Sequence, residues 1–237
     1  MRANFYLIMP EVMEEKVSNK IDVQEKLNKA ELYFDQNKKN IGIAAAVVIA
    51  LVGGIVAYKM WWLPKQDAEA QSQLFVAQQY FEKDSLDLAL NGNATFTGLN
   101  EIAENYGSTK AGQLAEYMIG VSLLQKGQYD AAIEHLNKFG ADDVMLSSVA
   151  TGAIGDAHME LNKVDEAIKY YLKAADQTTN NFTTPIYLKK AALAYEEQAK
   201  YGDALNLYQR IQQEFPKSTE GREIEKYISR VKTLGNL

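Results

Sequence analysis

The sequence predicts an all-α protein in which one N-terminal transmembrane helix precedes a solenoid of paired helices. Two observations predict it. The run "IGIAAAVVIALVGGIVAYKMWWL", residues 41–63, carries no charge from Ile41 to Tyr58, and roughly 20 such residues at 1.5 Å rise cross a bilayer core. The stretch "GQYDAAIEHL" (127–136) returns as "NKVDEAIKYY" (162–171) and "AKYGDALNLY" (199–208), so one helix start is written three times at a nearly constant interval. At 237 residues, 47% hydrophobic and 24% charged, the chain has room for one or two globular domains.

The apolar run divides the chain into a tail (1–40), a span (41–63) and a larger part (64–237). It starts too deep and runs too long for the apolar core of a signal peptide, and "KMWWLPK" follows it in place of a small-residue cleavage site. An interior helix of a soluble domain seldom stays apolar all round for five turns. Lys26, Lys29, Lys38 and Lys39 precede the run, whereas Lys65 and Lys83 alone fall in the 20 residues after it. Lysine enrichment marks the cytoplasmic side, so the N-terminus is expected in the cytoplasm and the large part outside, which in a Gram-negative cell is the periplasm. Lys59 snorkels outward from the far edge beside Trp61 and Trp62. Gly42, Ala46, Ala50 and Gly54 are spaced four apart, a stripe of small residues over which another span can approach closely. The tail reads as loosely ordered, with a short amphipathic helix around Val23, Leu27, Leu32 and Phe34. "MRANFYLI" fits neither tail nor signal, which leaves Met9 as an alternative initiator to Met1.

Beyond the span, the recurring stretches resolve into helix-turn-helix units. The first has Gly120 and Leu123 on one helix, Gly127 and Tyr129 in the turn, and Ala132 and Leu136 on the buried face of the next. Gly155, His158, Asn162, Val164, Ala167, Tyr171 and Ala174 repeat this, as do Ala192, Tyr195, Ala199, Tyr201, Ala204, Tyr208 and Ile211, closed by Pro216. This pattern resembles the tetratricopeptide repeat. Small residues at 120, 155 and 192 and at 132, 167 and 204 mark where the two helices cross, since a larger side chain would hold them apart. Asp130 and Asp165 are expected as N-caps, and Thr184 caps a helix with Pro185 at its first position. Upstream, "DAEAQSQLFVAQQYFEKDSLDLAL" reads as the first helix of a degenerate repeat. A loop at 91–93 would follow, then a second helix with Gly98 at the small position and Ile102 beyond it. Downstream, "STEGREIEKYISRVKTL" is a single helix with a polar outer side, the cap an open stack needs.

Chemistry-bearing residues are sparse. With no cysteine, disulfides, cysteine-ligated zinc, a thiol nucleophile and an acylated N-terminal cysteine are excluded. His158 reads as a packed, hydrogen-bonded core residue and His135 as exposed, neither with a partner at metal spacing. "AENYGSTKAG" lacks the lysine of a phosphate loop, and Gly107 reads as a helix stop. Asp142/Asp143, Asp165/Glu166 and Glu196/Glu197 are adjacent pairs that point apart and suit solvated surface, while Asn93 and Asn181 head weak glycosylation patterns. Residues 64–237 hold 17 Lys+Arg against 24 Asp+Glu, a net −7 without a basic stripe, which argues against nucleic acid. No catalytic residue, cofactor or metal is expected. What remains is a concave groove lined by the first helix of each unit. Its expected lining is Tyr117, Val121 and Leu124, then Gly152, Asp156 and Met159, then Lys189, Leu193 and Glu196, each set on one helix face. Some of the apolar members can equally be buried by the next repeat.

The order of parts, with "LLQKGQYDAAIEHLNKF" and "GAIGDAHMELNKVDEAIKYYLKAA" as the nearest local likenesses, resembles the YfgM family in its Bacteroidota form. These are single-span ancillary proteins of the SecYEG translocon. The resemblance implies a bacterial inner-membrane protein with a periplasmic repeat domain, partnering a PpiD-like periplasmic prolyl isomerase and assisting newly translocated polypeptides. Two other readings suit the same residues: a holdase chaperone that binds unfolded clients in the groove, or an envelope scaffold for another secretion or cell-wall complex.

Overall fold

The computed structural model describes residues 9–140 and 143–237. Residues 1–8, Asp142 and the side chains of Val23, Leu27 and Phe34, on which some of the expectations above rest, lie outside the described residues. The chain forms two units, the first ending at Trp61 and the second running Trp62–Leu237.

In the first unit a single helix, α1, spans Met9–Ala57 and leads into a π-helical turn, Tyr58–Trp62. The loosely ordered tail gives way to helix. Residues 11–40 contain no glycine or proline and are rich in Glu and Lys, both strong helix formers, so nothing stops the apolar helix from extending back toward Pro10. Proline is tolerated there because a first-turn N–H has no intrahelical partner to lose. Among the described residues one helix, near the N-terminus, is long and apolar enough to cross a membrane, with its apolar stretch wholly unburied.

The second unit is a helical solenoid. Its elements are α2 (Leu63–Glu82), α3 (Leu86–Asn91), a two-stranded antiparallel hairpin of β1 (Gly92–Asn93) and β2 (Phe96–Thr97), and α4 (Leu99–Tyr106). After these come α5 (Lys110–Gln125), α6 (Tyr129–Lys138), α7 (Val144–Glu160), α8 (Val164–Gln177), α9 (Thr183–Glu197), α10 (Tyr201–Glu214) and α11 (Thr219–Gly235). Consecutive helices pack against one another, and α5, α7, α9 and α11 also touch in succession.

Four turns share one geometry. Asp84, Gly127, Asn162 and Ala199 are left-handed, with φ of 55°, 73°, 58° and 55°. The N–H of each donates to the carbonyl three residues back (Phe81, Leu124, Met159, Glu196), and the following N–H to the carbonyl five back (Tyr80, Leu123, His158, Tyr195), all at 2.8–3.1 Å. This double bond pattern satisfies the last carbonyls of one helix and turns the chain into the next. Seven residues before each left-handed residue stand Ala77, Gly120, Gly155 and Ala192; five after stand Ala89, Ala132, Ala167 and Ala204. All eight are buried, at the helix crossings. A Cβ added at Gly120 would come 2.6 Å from Leu136, and one at Gly155 2.6 Å from the Tyr171 ring.

The common geometry corrects the reading of the first repeat. Its small residues are Ala77 and Ala89, not Gly98, and the expected first helix breaks at Asp84. Its second helix is cut after Asn91 by the hairpin and resumes as α4. Gly98 closes that insertion: a side chain there would strike the backbone of Asn91 and Gly92. Tyr80 stacks on Phe96 at 4.7 Å between ring centroids, holding the hairpin on α2.

The caps also differ from expectation. Because α6 and α8 begin two residues after the left-handed residue, Asp130 and Asp165 fall inside the first turn and accept no capping bond. They complement the helix dipole there. Thr184 likewise lies inside α9. The N-cap position is Phe182, and Asn180, two residues before it, accepts at Oδ1 from the N–H groups of Phe182 and Thr183 at 2.7 Å. True side-chain caps are Thr109, Asp143 and Ser218. At the far end, Ile224, Ile228 and Val231 of α11 join the core of α8, α9 and α10, while its outer side stays polar.

Ala89→Phe, Ala132→Phe and Ala167→Phe should each destabilise the repeat unit by about 1–3 kcal/mol or more, because a ring forces both crossing helices to move. Denaturant unfolding measures this, and an unchanged midpoint for Ala89→Phe would remove the first repeat from the register. Ala199 is an alanine where glycine is free of steric cost, so Ala199→Gly should stabilise by about 0.5–1 kcal/mol in the same measurement.

Candidate functional site

The expected groove residues sit on α5, α7 and α9, the helices in lateral succession, but the structure treats them unequally. Tyr117, Val121 and Leu124 on α5 are half-buried against the cluster of Leu136, Phe139, Ala150 and Ile154, with the Tyr117 and Phe139 rings 5.6 Å apart. The apolar end of the groove is therefore largely filled by the next repeat. Gly152 is buried under the Tyr187 ring, which leaves no space for a side chain, so it forms part of the floor and not of the open lining. Asp156, Met159 and Leu193 line one cavity of about 300 Å³ between α7 and α9. Leu193 is 36% exposed.

Lys189 and Glu196 are brought to a second place, facing α11. Lys189 Nζ stands 4.7 Å from the Tyr227 ring centroid, a cation–π contact. Arg230 donates to both oxygens of Glu196 at 2.6 and 3.0 Å, and the Tyr208 hydroxyl donates to the same carboxylate. Tyr208 and Tyr227 lie 5.4 Å apart.

At the cavity the matching centre is Asp156. Lys190 Nζ donates to both its oxygens at 2.7 Å, and the Tyr171 hydroxyl donates to Oδ1 at 2.7 Å. Burial, then the Asp156 charge, pushes the Tyr171 phenol far above its ordinary value; burial, then the same charge, raises Tyr187. Tyr208 is raised by burial and then by its bond to Glu196. Lys190 and Arg230 were missed on sequence, yet each stands 34 residues from its acid, as Arg210 does from Asp176. Opposite charges one repeat apart are the signal that locates them.

The two histidines and three turn aspartates are packed or paired within the repeats. His135 is not exposed: its Nδ1 lies 2.6 Å from a Glu116 carboxylate oxygen, and both side chains are largely covered. His158 stacks on Tyr170 at 5.1 Å with its Nδ1 buried and unpaired among the described residues, so it is packed without the expected side-chain hydrogen bond. Burial, then Lys163, lowers its pKa. Asp87, Asp130 and Asp165 each meet a lysine of the following turn, at 2.6 Å (Lys126), 3.9 Å (Lys163) and 3.6 Å (Lys200). Among the described residues no group of three His, Asp or Glu is placed to hold a metal ion. On α1, nothing comes within 4 Å of a Cβ built at Gly42 or Gly54, and Ala46 and Ala50 are exposed.

The raised tyrosines fix a pH dependence. Unfolded phenols lose their protons near the ordinary value of 10.0, whereas the folded chain holds those of Tyr171 and Tyr208 higher. Above pH 10 the unfolded state binds fewer protons, so stability should be full below that value and fall as pH rises past it. Urea titrations from pH 9 to 11 should show the decline, and Tyr171→Phe should make it shallower.

A tetratricopeptide-repeat family profile matches residues 117–182 and a second one residues 188–218. No curated protein matches the chain. Among solved structures, the nearly identical TPR-like repeats of a putative kinesin light chain from Podosopora anserina superpose with a TM-score of 0.54 at 13% identity, over 72% of this chain and 88% of that one. At that identity the likeness speaks for the fold alone. The turn geometry, the small-residue crossings and both profile matches agree that residues 117–182 and 188–218 carry tetratricopeptide repeats.

Proposed function

We propose that this is a membrane-anchored interaction protein whose α7–α9 groove holds a segment of a protein partner. Tetratricopeptide folds are typically non-catalytic interaction scaffolds, and the observation that carries the reading is the cavity where Met159 and Leu193 meet Asp156 and Lys190. A mixed apolar and polar recess of this kind suits side chains of an extended segment. The finer reading follows the resemblance to the YfgM family and the lysine asymmetry about the span. In it, residues 1–40 lie in the cytoplasm, 41–63 cross the inner membrane and 64–237 lie in the periplasm. The repeats then serve as an accessory of the SecYEG translocon, offered to a PpiD-like isomerase and to emerging chains. The face of Gly42, Ala46, Ala50 and Gly54 would take a partner span. Exposed Leu193 also suits the second reading, in which the groove holds unfolded clients directly.

The test is co-purification of the full chain from mild detergent with mass spectrometry, native against Leu193→Glu. Translocon subunits and a periplasmic isomerase should accompany the native chain and be depleted at least several-fold from the variant, with membrane abundance unchanged. Recovery of a broad set of unfolded envelope proteins would favour the holdase; equal recovery by both chains would remove the groove. Protease added to spheroplasts should digest the repeats, and a protected repeat domain would overturn the orientation.

A further inference from the structure

The charges around the α7–α9 cavity do not cancel. Three carboxylates, Asp156, Glu160 and Glu197, and one ammonium, Lys190, line it together with the apolar surface of Met159 and Leu193. Lys190 is committed inward. Besides its paired bonds to Asp156, its Nζ lies 5.7 and 5.9 Å from the Tyr171 and Tyr187 ring centroids, so Asp156 and Lys190 form a neutral, satisfied pair against the aromatic wall. Glu160 accepts from the neutral Tyr129 hydroxyl at 3.1 Å. Among the described residues no lysine or arginine forms an ion pair with Glu160 or Glu197. The cavity therefore presents two uncompensated negative charges beside an apolar strip.

Resting on the groove reading above, we infer that this cavity is a subsite for a lysine or arginine side chain on an extended segment of the partner. The aliphatic stem lies along Met159 and Leu193, and the cationic head meets Glu160 and Glu197. A volume of about 300 Å³ has room for one such side chain. The net −7 of the repeat unit draws a basic segment toward it.

The test uses the full chain in a non-ionic detergent and fluorescein-labelled host peptides Ser-Leu-Ala-X-Ala-Leu-Ser, with X as lysine, arginine, norleucine or glutamate, read by anisotropy. Lysine and arginine peptides should bind at least tenfold tighter than norleucine, and glutamate more weakly still, with the preference shrinking as salt rises. Glu160→Gln combined with Glu197→Gln should bring lysine and norleucine within about threefold, while Glu104→Gln on α4 keeps the native preference. Circular dichroism confirms that the double variant is folded. Norleucine binding as tightly as lysine, an undiminished preference in the double variant, or no binding of the basic peptides at millimolar concentration would each overturn the inference. The groove reading fails separately: a double variant that loses the charge preference yet keeps its co-purified partners leaves the groove standing, whereas native and Leu193→Glu chains recovering the same partners removes it.

Discussion

In each repeat two helices cross where neither can carry more than a methyl group, and the remaining architecture hangs on that contact. The left-handed residue between them sets the phase. Seven residues upstream and five downstream of Asp84, Gly127, Asn162 and Ala199 the chain has glycine or alanine, and all eight positions are buried. Close approach at that point lets Leu136 and Tyr171 lie directly on Gly120 and Gly155. Dispersion over so short a distance is collectively large. It commits each pair to one angle, and repetition of that angle generates the stack.

Once the angle is set, polar contacts one repeat apart become possible. Asp156 with Lys190 and Glu196 with Arg230 join successive inner helices, Asp176 with Arg210 joins successive outer ones, and an acid–lysine pair recurs along the turn edge. The exposed pairs along the turn edge add little stability singly. The effect of the inner-helix pairs on the groove is positional, since they hold particular cations inward and leave other carboxylates facing the opening. Tyr171 and Tyr208 extend the arrangement by tying the outer helices to the same acids.

The parts legible in the sequence were those governed by spacing and size: the apolar run, the small residues of three repeats and the polar outer side of α11. The first repeat was obscured because the Gly92–Thr97 hairpin interrupts its second helix, although Tyr80–Leu90 resembles Tyr195–Leu205 once aligned on Asp84 and Ala199. The helix starts were misplaced because Asp130 and Asp165 look like caps by type, while the left-handed turn had already begun each helix before them. Lys189 and Lys190 are neighbours in sequence, but a 100° step around the helix sends one toward α11 and the other toward α7. Only the arrangement of neighbouring helices decides which of them reaches the cavity.

The hairpin has an evolutionary corollary. Left-handed residues are separated by 43 positions across the interrupted repeat, against 35 and 37 in the next two. A chain whose fit depends on fixed offsets about each turn tolerates little change within those offsets, because a single added residue would rotate the small position away from its crossing. Extra length is harmless where the second helix has already passed its contact, which is where Gly92–Thr97 emerges before α4 resumes. Such a scaffold is expected to diverge by gaining or losing whole repeats, or by growing surface loops at this break, while its turns keep their length.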